Sequence, residues 1–332
     1  MIEPAYASGD KTTVLSFFLN SCVNLGGTIP VCFFVISGYV IAKAYDKVKL
    51  ETVTLQDYMK KRFMRLFPTM FVSIILMSIA QFVWHYKVGN WWMDKNNDVT
   101  HVLLAITGLS VGTGVDMFNT VNGPIWYISI LLICYFLYYL LQKDLIFRFT
   151  GDNLFIKSII MIGIGFSIIN YFWHFPLLTL QCGVGYIGFF SGVIIAEKIE
   201  DLKKNKALYI GIMMSFPVVF LLCAMAFRTE VYNVLGIDYV WLTWATLSTI
   251  LIAEHFSFFG NPFFSLLSRI SFPIYLFQFP AFVIIQTVAL FTTKYLNDGP
   301  MRFAFYSVVV VIISIIWCSI EHLYKLSKTA RI

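Results

Sequence analysis

Arg62 and Arg65 stand one helical turn apart before Pro68, with Lys60 and Lys61 directly upstream. At that spacing both guanidinium groups share one face of a helix. Their planar forks suit a phosphate better than lysine does. A basic group where a helix enters a membrane also orients that helix and snorkels to lipid headgroups, so both readings stay open. Ser37-Gly38 lies within a run otherwise made of Phe, Val and Ile. Its hydroxyl could serve as a nucleophile only beside a base, and none is adjacent. As a small pair it would let two helices approach closely.

Two further segments carry polar or aromatic chemistry. Gly123-Pro124-Ile125-Trp126-Tyr127 opens an apolar run, with proline as a helix-start signal. Trp126 and Tyr127 at the outer headgroup level would anchor the helix there, and aromatic rings also stack on sugars. Pro273 and Pro280 interrupt a later apolar run and free backbone carbonyls, as segments lining a cavity often do. Tyr275 and Gln278 share one face there, and Ser271 extends them into a polar stripe. That stripe either lines a channel or bonds to a neighbouring helix.

The remaining titratable groups mostly argue against other chemistries. His85, His101, His174, His255 and His322 fall at expected span ends or in loops, where a solvated imidazole is the ordinary reading. His174, flanked by Trp173 and Phe175-Pro176 on the expected outer face, is kept as an acceptor-side candidate. No Ser/His/Asp set and no metal-ligand spacing occurs, so no metal is expected. The six cysteines are scattered, mostly in apolar runs, and read as small core residues. All 18 carboxylates fall in loops or near span ends. The mid-bilayer ionisable residue of a proton-coupled transporter is therefore missing.

These residues must be held by membrane helices. The 332 residues are 59% hydrophobic and 13% charged, half the charge of a soluble domain. The apolar runs are about 20 residues long and apolar on all faces, which excludes a β-barrel's alternation. We expect an all-α integral membrane protein, a polytopic helical bundle of about nine transmembrane helices. The expected spans are 29–44, 67–86, 124–142, 155–173, 178–196, 208–227, 239–256, 271–291 and 303–322. Residues 101–113 are apolar but too short to cross, and read as interfacial or re-entrant. With this map, 18 of the 24 Lys and Arg fall on one side. That bias makes this side, and the C-terminus, cytoplasmic. The net charge of +6 then reflects helix orientation, and no nucleic-acid partner is expected. The expected organisation is an extracytoplasmic segment 1–28, a transmembrane domain 29–322 and a cytoplasmic tail 323–332.

Taken in order, Phe33-Phe34-Val35-Ile36-Ser37-Gly38, Arg62-x-x-Arg65-x-x-Pro68, Trp126-Tyr127 and Ser271-Phe272-Pro273-Ile274-Tyr275-Leu276 resemble the acyltransferase-3 family over roughly residues 25–325. The resemblance implies ten helices with both termini cytoplasmic. It implies an O-acyltransferase of a bacterial inner or plasma membrane, with acyl-CoA, usually acetyl-CoA, as donor substrate and no bound cofactor. The acceptor would be a hydroxyl of a surface or exported polysaccharide or a lipid-linked glycan, and membrane lipid is the remaining partner. Arg62 and Arg65 match the family's cytoplasmic, donor-binding arginine pair, and Lys61 beside them is a further donor-binding candidate. Ser37 and Gly38 match its packing or channel positions; Tyr275 and Gln278 are channel or packing candidates on the strength of their shared polar face. Trp126 and Tyr127 match its outer-face, acceptor-side aromatic pair.

The chain departs from the family in two places. The family carries an arginine and a histidine on its first helix, and residues 1–36 contain neither. Its late Tyr-Leu-x-His pattern reads Tyr275-Leu276-Phe277-Gln278 here, and an amide cannot shuttle protons. A helix preceding Met1 would supply the missing residues, make the span count even and spare a polar tail from export, so a longer chain is expected. The alternatives are a member that has lost catalysis and a non-catalytic membrane protein that transports or scaffolds glycan precursors.

Overall fold

The computed structural model describes residues 30–45, 50–92, 99–112, 121–171, 175–226, 237–289 and 299–329. The expectations for residues 1–28 and for His174 lie outside these residues. Among the described residues ten α-helices are found, α1 Pro30–Ala44, α2 Leu55–Val88, α3 Val99–Thr107, α4 Ile125–Gln142, α5 Leu154–Tyr171, α6 Leu180–Lys204, α7 Lys206–Ala226, α8 Ile237–His255, α9 Pro262–Ala289 and α10 Gly299–Thr329. No strand occurs among the described residues. The protein is a helical membrane bundle, because hydrocarbon leaves the backbone no partner outside its own helix.

Each expected span coincides with one helix, and α3 takes up the short apolar piece. Among the described residues, six helices are long and apolar enough to cross a membrane, while α1 and the first part of α7 are shorter apolar helices. Helix α8 is less apolar because it carries Thr243, Thr246, Ser248 and Thr249. Two contacts tie it to α7: Ser248 donates to the Ile212 carbonyl at 3.0 Å and the Trp244 indole donates to Ser215 at 2.9 Å. Helices α2, α6 and α10 overrun their apolar stretches, since polar helix formers continue each of them. Helix α10 thus continues into the expected tail, where neither Gly nor Pro intervenes before Thr329.

The chain divides into two compact units, one of Met1–Lys61 with Ile130–Ser257 and one of Arg62–Ser129 with Phe258–Ile332. In the first unit α6 is the central helix, buried without a break from Cys182 to Phe190. Its glycines let two neighbours approach to backbone contact. Gly188 and Gly192, spaced as a small-x-x-x-small pair, receive α1 at Val31, Phe34, Val35 and Tyr39, and Gly183 meets Gly165 of α5. Gly38 returns the contact against the Phe189 carbonyl. Of the two readings of Ser37-Gly38, the geometry at Gly38 is that of close packing.

Lys157 of α5 is only 2% exposed. Its ammonium bonds the Asp144 carboxylate and the Leu141 carbonyl, the latter at 3.1 Å, and so closes the end of α4. Asp144 has φ 53°, a backbone that Asp and Asn tolerate best. Asp144→Asn should therefore isolate the charge. Breaking a fully buried pair costs about 3–5 kcal/mol. Because Asp144 is partly exposed, about 2 kcal/mol is expected. Thermal unfolding in detergent should show Asp144→Asn less stable than Lys157→Met, which removes both charge and burial cost.

Candidate functional site

The start of α2 is fixed first. Thr54 caps it by accepting the Asp57 N–H at 3.2 Å, while its hydroxyl donates to the Asp57 carboxylate at 2.8 Å. Tyr139 and Lys143 of the first unit donate to the Val53 and Glu51 carbonyls at 2.9 and 3.1 Å. Tyr58 is buried between Tyr45 and Tyr139. The T-x-x-D signature of this cap was present in the sequence and went unread.

From this anchor α2 runs unbroken for 34 residues through Pro68. Arg62 and Arg65 therefore lie on one face, a turn apart, just before the apolar stretch. Arg62 is half-buried, whereas Arg65, Lys60 and Lys61 are exposed. Arg65 makes no hydrogen bond or ion pair among the described residues. The patch can accept a phosphate without first breaking an ion pair at Arg65.

Further along the second unit, two rungs relate α2 to α9. Trp317 of α10 donates its indole N–H to Thr69 at 3.0 Å and packs edge-on against Phe277. Nearer the other end, the Gln81 amide pairs with both backbone groups of Trp92, at 3.0 and 3.3 Å. The Trp92 indole then donates to Gln286 at 2.8 Å. Trp92 is thereby buried and packs on Phe279 and Phe282.

Helix α9 continues through Pro273 and Pro280, which the sequence presented as interruptions. Each proline ring deprives the carbonyl four residues earlier of its helical partner. Both freed carbonyls find another donor. Cys318 reaches the Arg269 carbonyl at 3.5 Å, and the Asn122 side chain donates to the Leu276 carbonyl at 3.0 Å. Tertiary donors thus keep α9 helical.

Asn122 also brings the following turn against α9. Tyr127 is 4% exposed, with its ring edge-on to Tyr275 at 5.6 Å. Tyr275 and Leu276 lie about midway along α9. Tyr127 is thus packed beside the middle of a long helix. Trp126, its neighbour, is half-buried, as are Ser37, Tyr275 and Gln278. The Gln278 amide makes no hydrogen bond among the described residues. Ser110 and Ser129, bonded at 3.1 Å, close the same region from the segment after α3.

A sequence-level family model described as Acyltransferase domain matches residues 3–318. The chain belongs to the acyltransferase-3 family. No curated protein and no solved structure matches it. As a membrane acyltransferase, it carries the arginine pair and the tyrosine pair in the same unit, on α2, α4 and α9. Among the described residues of this acyltransferase, no group of three His, Cys, Asp or Glu could hold a metal ion.

Sequence reasoning passed over one polar cluster of the acyltransferase, in the first unit. Tyr39 donates to Glu254, Lys203 bonds Glu254 at 2.8 Å and Glu200 at 3.3 Å, and Lys43 bonds Glu200 at 2.8 Å. These contacts staple the ends of α1, α6 and α8. Each charge in the cluster already has a partner, so it reads as structural.

Proposed function

We propose that this acyltransferase takes an acyl group, most simply acetyl, from acyl-CoA on the cytoplasmic side of a bacterial inner or plasma membrane. It delivers the group to a hydroxyl of a surface or exported polysaccharide or of a lipid-linked glycan. The observation that carries this reading is the fixed start of α2. It presents Arg62 and Arg65 on one face at the mouth of the apolar stretch, with Lys61 beside them. Coenzyme A offers its diphosphate to such a fork. The Lys/Arg bias supports the same side for this end and for the C-terminus. Trp126 supplies a ring that a sugar could stack on.

A second reading, a family member without catalysis, draws on Gln278, an amide at the place of the histidine in the Tyr-Leu-x-His pattern. The two separate in one assay. The purified full chain in lipid vesicles is given acetyl-CoA labelled in the acetyl group, with lipid-linked glycan as acceptor. Acceptor-dependent release of CoA and label in the glycan are expected. Intact acetyl-CoA after incubation would favour the non-catalytic member.

A further inference from the structure

We infer that residues 258–268, the turn leading into α9 and the start of that helix, lie in the headgroup–acyl boundary of the lipid leaflet at the Arg62 end of α2, and do not form a solvated loop. The inference makes no use of the acyl-CoA reading and stands without it.

The sequence of this segment is unlike that of the other connections on its side. Between Glu254 and Arg269 it holds no Asp, Glu, Lys or Arg, while Phe258, Phe259, Phe263, Phe264, Leu266 and Leu267 all fall there. A single 3-10 turn, Ser257–Gly260, precedes α9. Asn261 caps the helix by accepting the Phe264 N–H at 3.1 Å, and Pro262 takes the first helical position. The four phenylalanine rings pack on one another, Phe258 and Phe259 each against Phe264 at 5.4 and 4.8 Å, and Phe263 against it at 5.5 Å. The segment is thus held in shape by its own contacts. Its outer surface is nevertheless bare, with Phe258 66% and Phe263 62% exposed. Ser265 to Arg269 are exposed in succession, which takes in every direction round the helix.

Contacts within the second unit set the depth. Phe282 meets Tyr306, Phe277 meets Trp317 and the Arg269 carbonyl meets Cys318, so α9 and α10 run antiparallel. One turn past Cys318, α10 carries Glu321 and His322. Trp317 also contacts Thr69, and one turn before Thr69 helix α2 carries Arg65. Both neighbours therefore turn polar close to the level where α9 passes Arg269. Residues 258–268 continue beyond that level without a charge of their own.

Apolar surface of this extent is unfavourable in water and marks a place that something covers. A partner protein covers one side of a helix, whereas lipid reaches it from all sides, as the exposure of Ser265 to Arg269 requires. The segment has no Trp or Tyr, and no Arg before Arg269, although these are the usual anchors of protein interfaces. Its charge pattern suits lipid instead. Uncharged Phe and Leu meet the acyl boundary, and the exposed Arg269 at its end can reach a headgroup phosphate. The Lys/Arg bias makes this the cytoplasmic leaflet.

The test uses the full chain in lipid nanodiscs, which are open to water on both faces. Gly260→Cys places a reporter in the turn, where an added Cβ has nothing within 4 Å. Lys204→Cys is the solvated reference, since 78% of the Lys204 side chain is exposed. Each variant carries a bimane label, and the label taken up by the unsubstituted chain is subtracted. Lipid brominated near the headgroup end of its chains should remove about half of the emission at Gly260, because interfacial segments lie roughly 5–10 Å into that boundary. The same lipid should leave the emission at Lys204 unchanged, and aqueous iodide should do the reverse. Iodide quenching at Gly260 as strong as at Lys204 would overturn the inference. A label at Gly260 that neither quencher reaches would overturn it too, with protein as the cover. A disulfide between two chains of the Gly260→Cys variant would overturn it in favour of a second copy of this chain.

Discussion

Gly192→Ala should lower the unfolding temperature of the solubilised protein more than any substitution on its surface, with Gly38→Ala close behind. A Cβ at Gly192 would stand 2.0 Å from the Val35 carbonyl oxygen, and one at Gly38 would stand 1.9 Å from that of Phe189. Both clashes are with backbone of the facing helix, which cannot rotate aside as a side chain can. Helices α1 and α6 would have to separate along their whole contact. Overpacking of this kind costs about 1–3 kcal/mol and sometimes more, and the upper end is expected here. Gly163 and Gly211, both within helices, have nothing within 4 Å of an added Cβ. Alanine there should be neutral or stabilising by up to about 1 kcal/mol, from helix propensity alone. Equal melting of Gly192→Ala and Gly211→Ala would show that the α1–α6 contact is looser than described.

Arg62→Ala with Arg65→Ala should raise KM for acyl-CoA about a hundredfold with little change in stability or membrane insertion. Each charge-assisted hydrogen bond to a phosphate contributes about 1.5–3 kcal/mol, and two at the lower figure correspond to roughly that factor. Neither side chain is fully buried, so their removal opens no cavity. Arg62→Lys with Arg65→Lys keeps the charge but loses the bidentate fork, and should fall between wild type and the alanine pair. A steady-state titration of acyl-CoA reads all three. An unchanged KM in the alanine pair would remove both residues from the donor site and leave them as orientation signals.

Sequence and structure agree where one physical rule acts alone. Runs that are apolar on every face must be helices in hydrocarbon, and nine such runs became nine helices. Their ends were harder to place, because Leu55–Phe67 and Glu197–Lys204 continue their helices in residues that favour helix without being apolar. Pro273 and Pro280 announced freed carbonyls at Arg269 and Leu276, but nothing local announced that Asn122 and Cys318 would meet them. The same holds for Tyr127, whose partner Tyr275 is remote in sequence and known only from the fold. Arg62 and Arg65 were legible because their spacing alone sets their common face. Glu254 was legible as a carboxylate near a boundary, yet its partners Tyr39 and Lys203 come from two other helices.

The acetyl content of the surface glycan, read by NMR from cells with and without the gene, tests the central claim most directly. Acetyl signals that disappear with the gene, return with the wild-type chain and stay low with the double alanine variant of Arg62 and Arg65 are the predicted result. Acetylation unchanged by loss of the gene, in cells with no second transferase for that glycan, would contradict it.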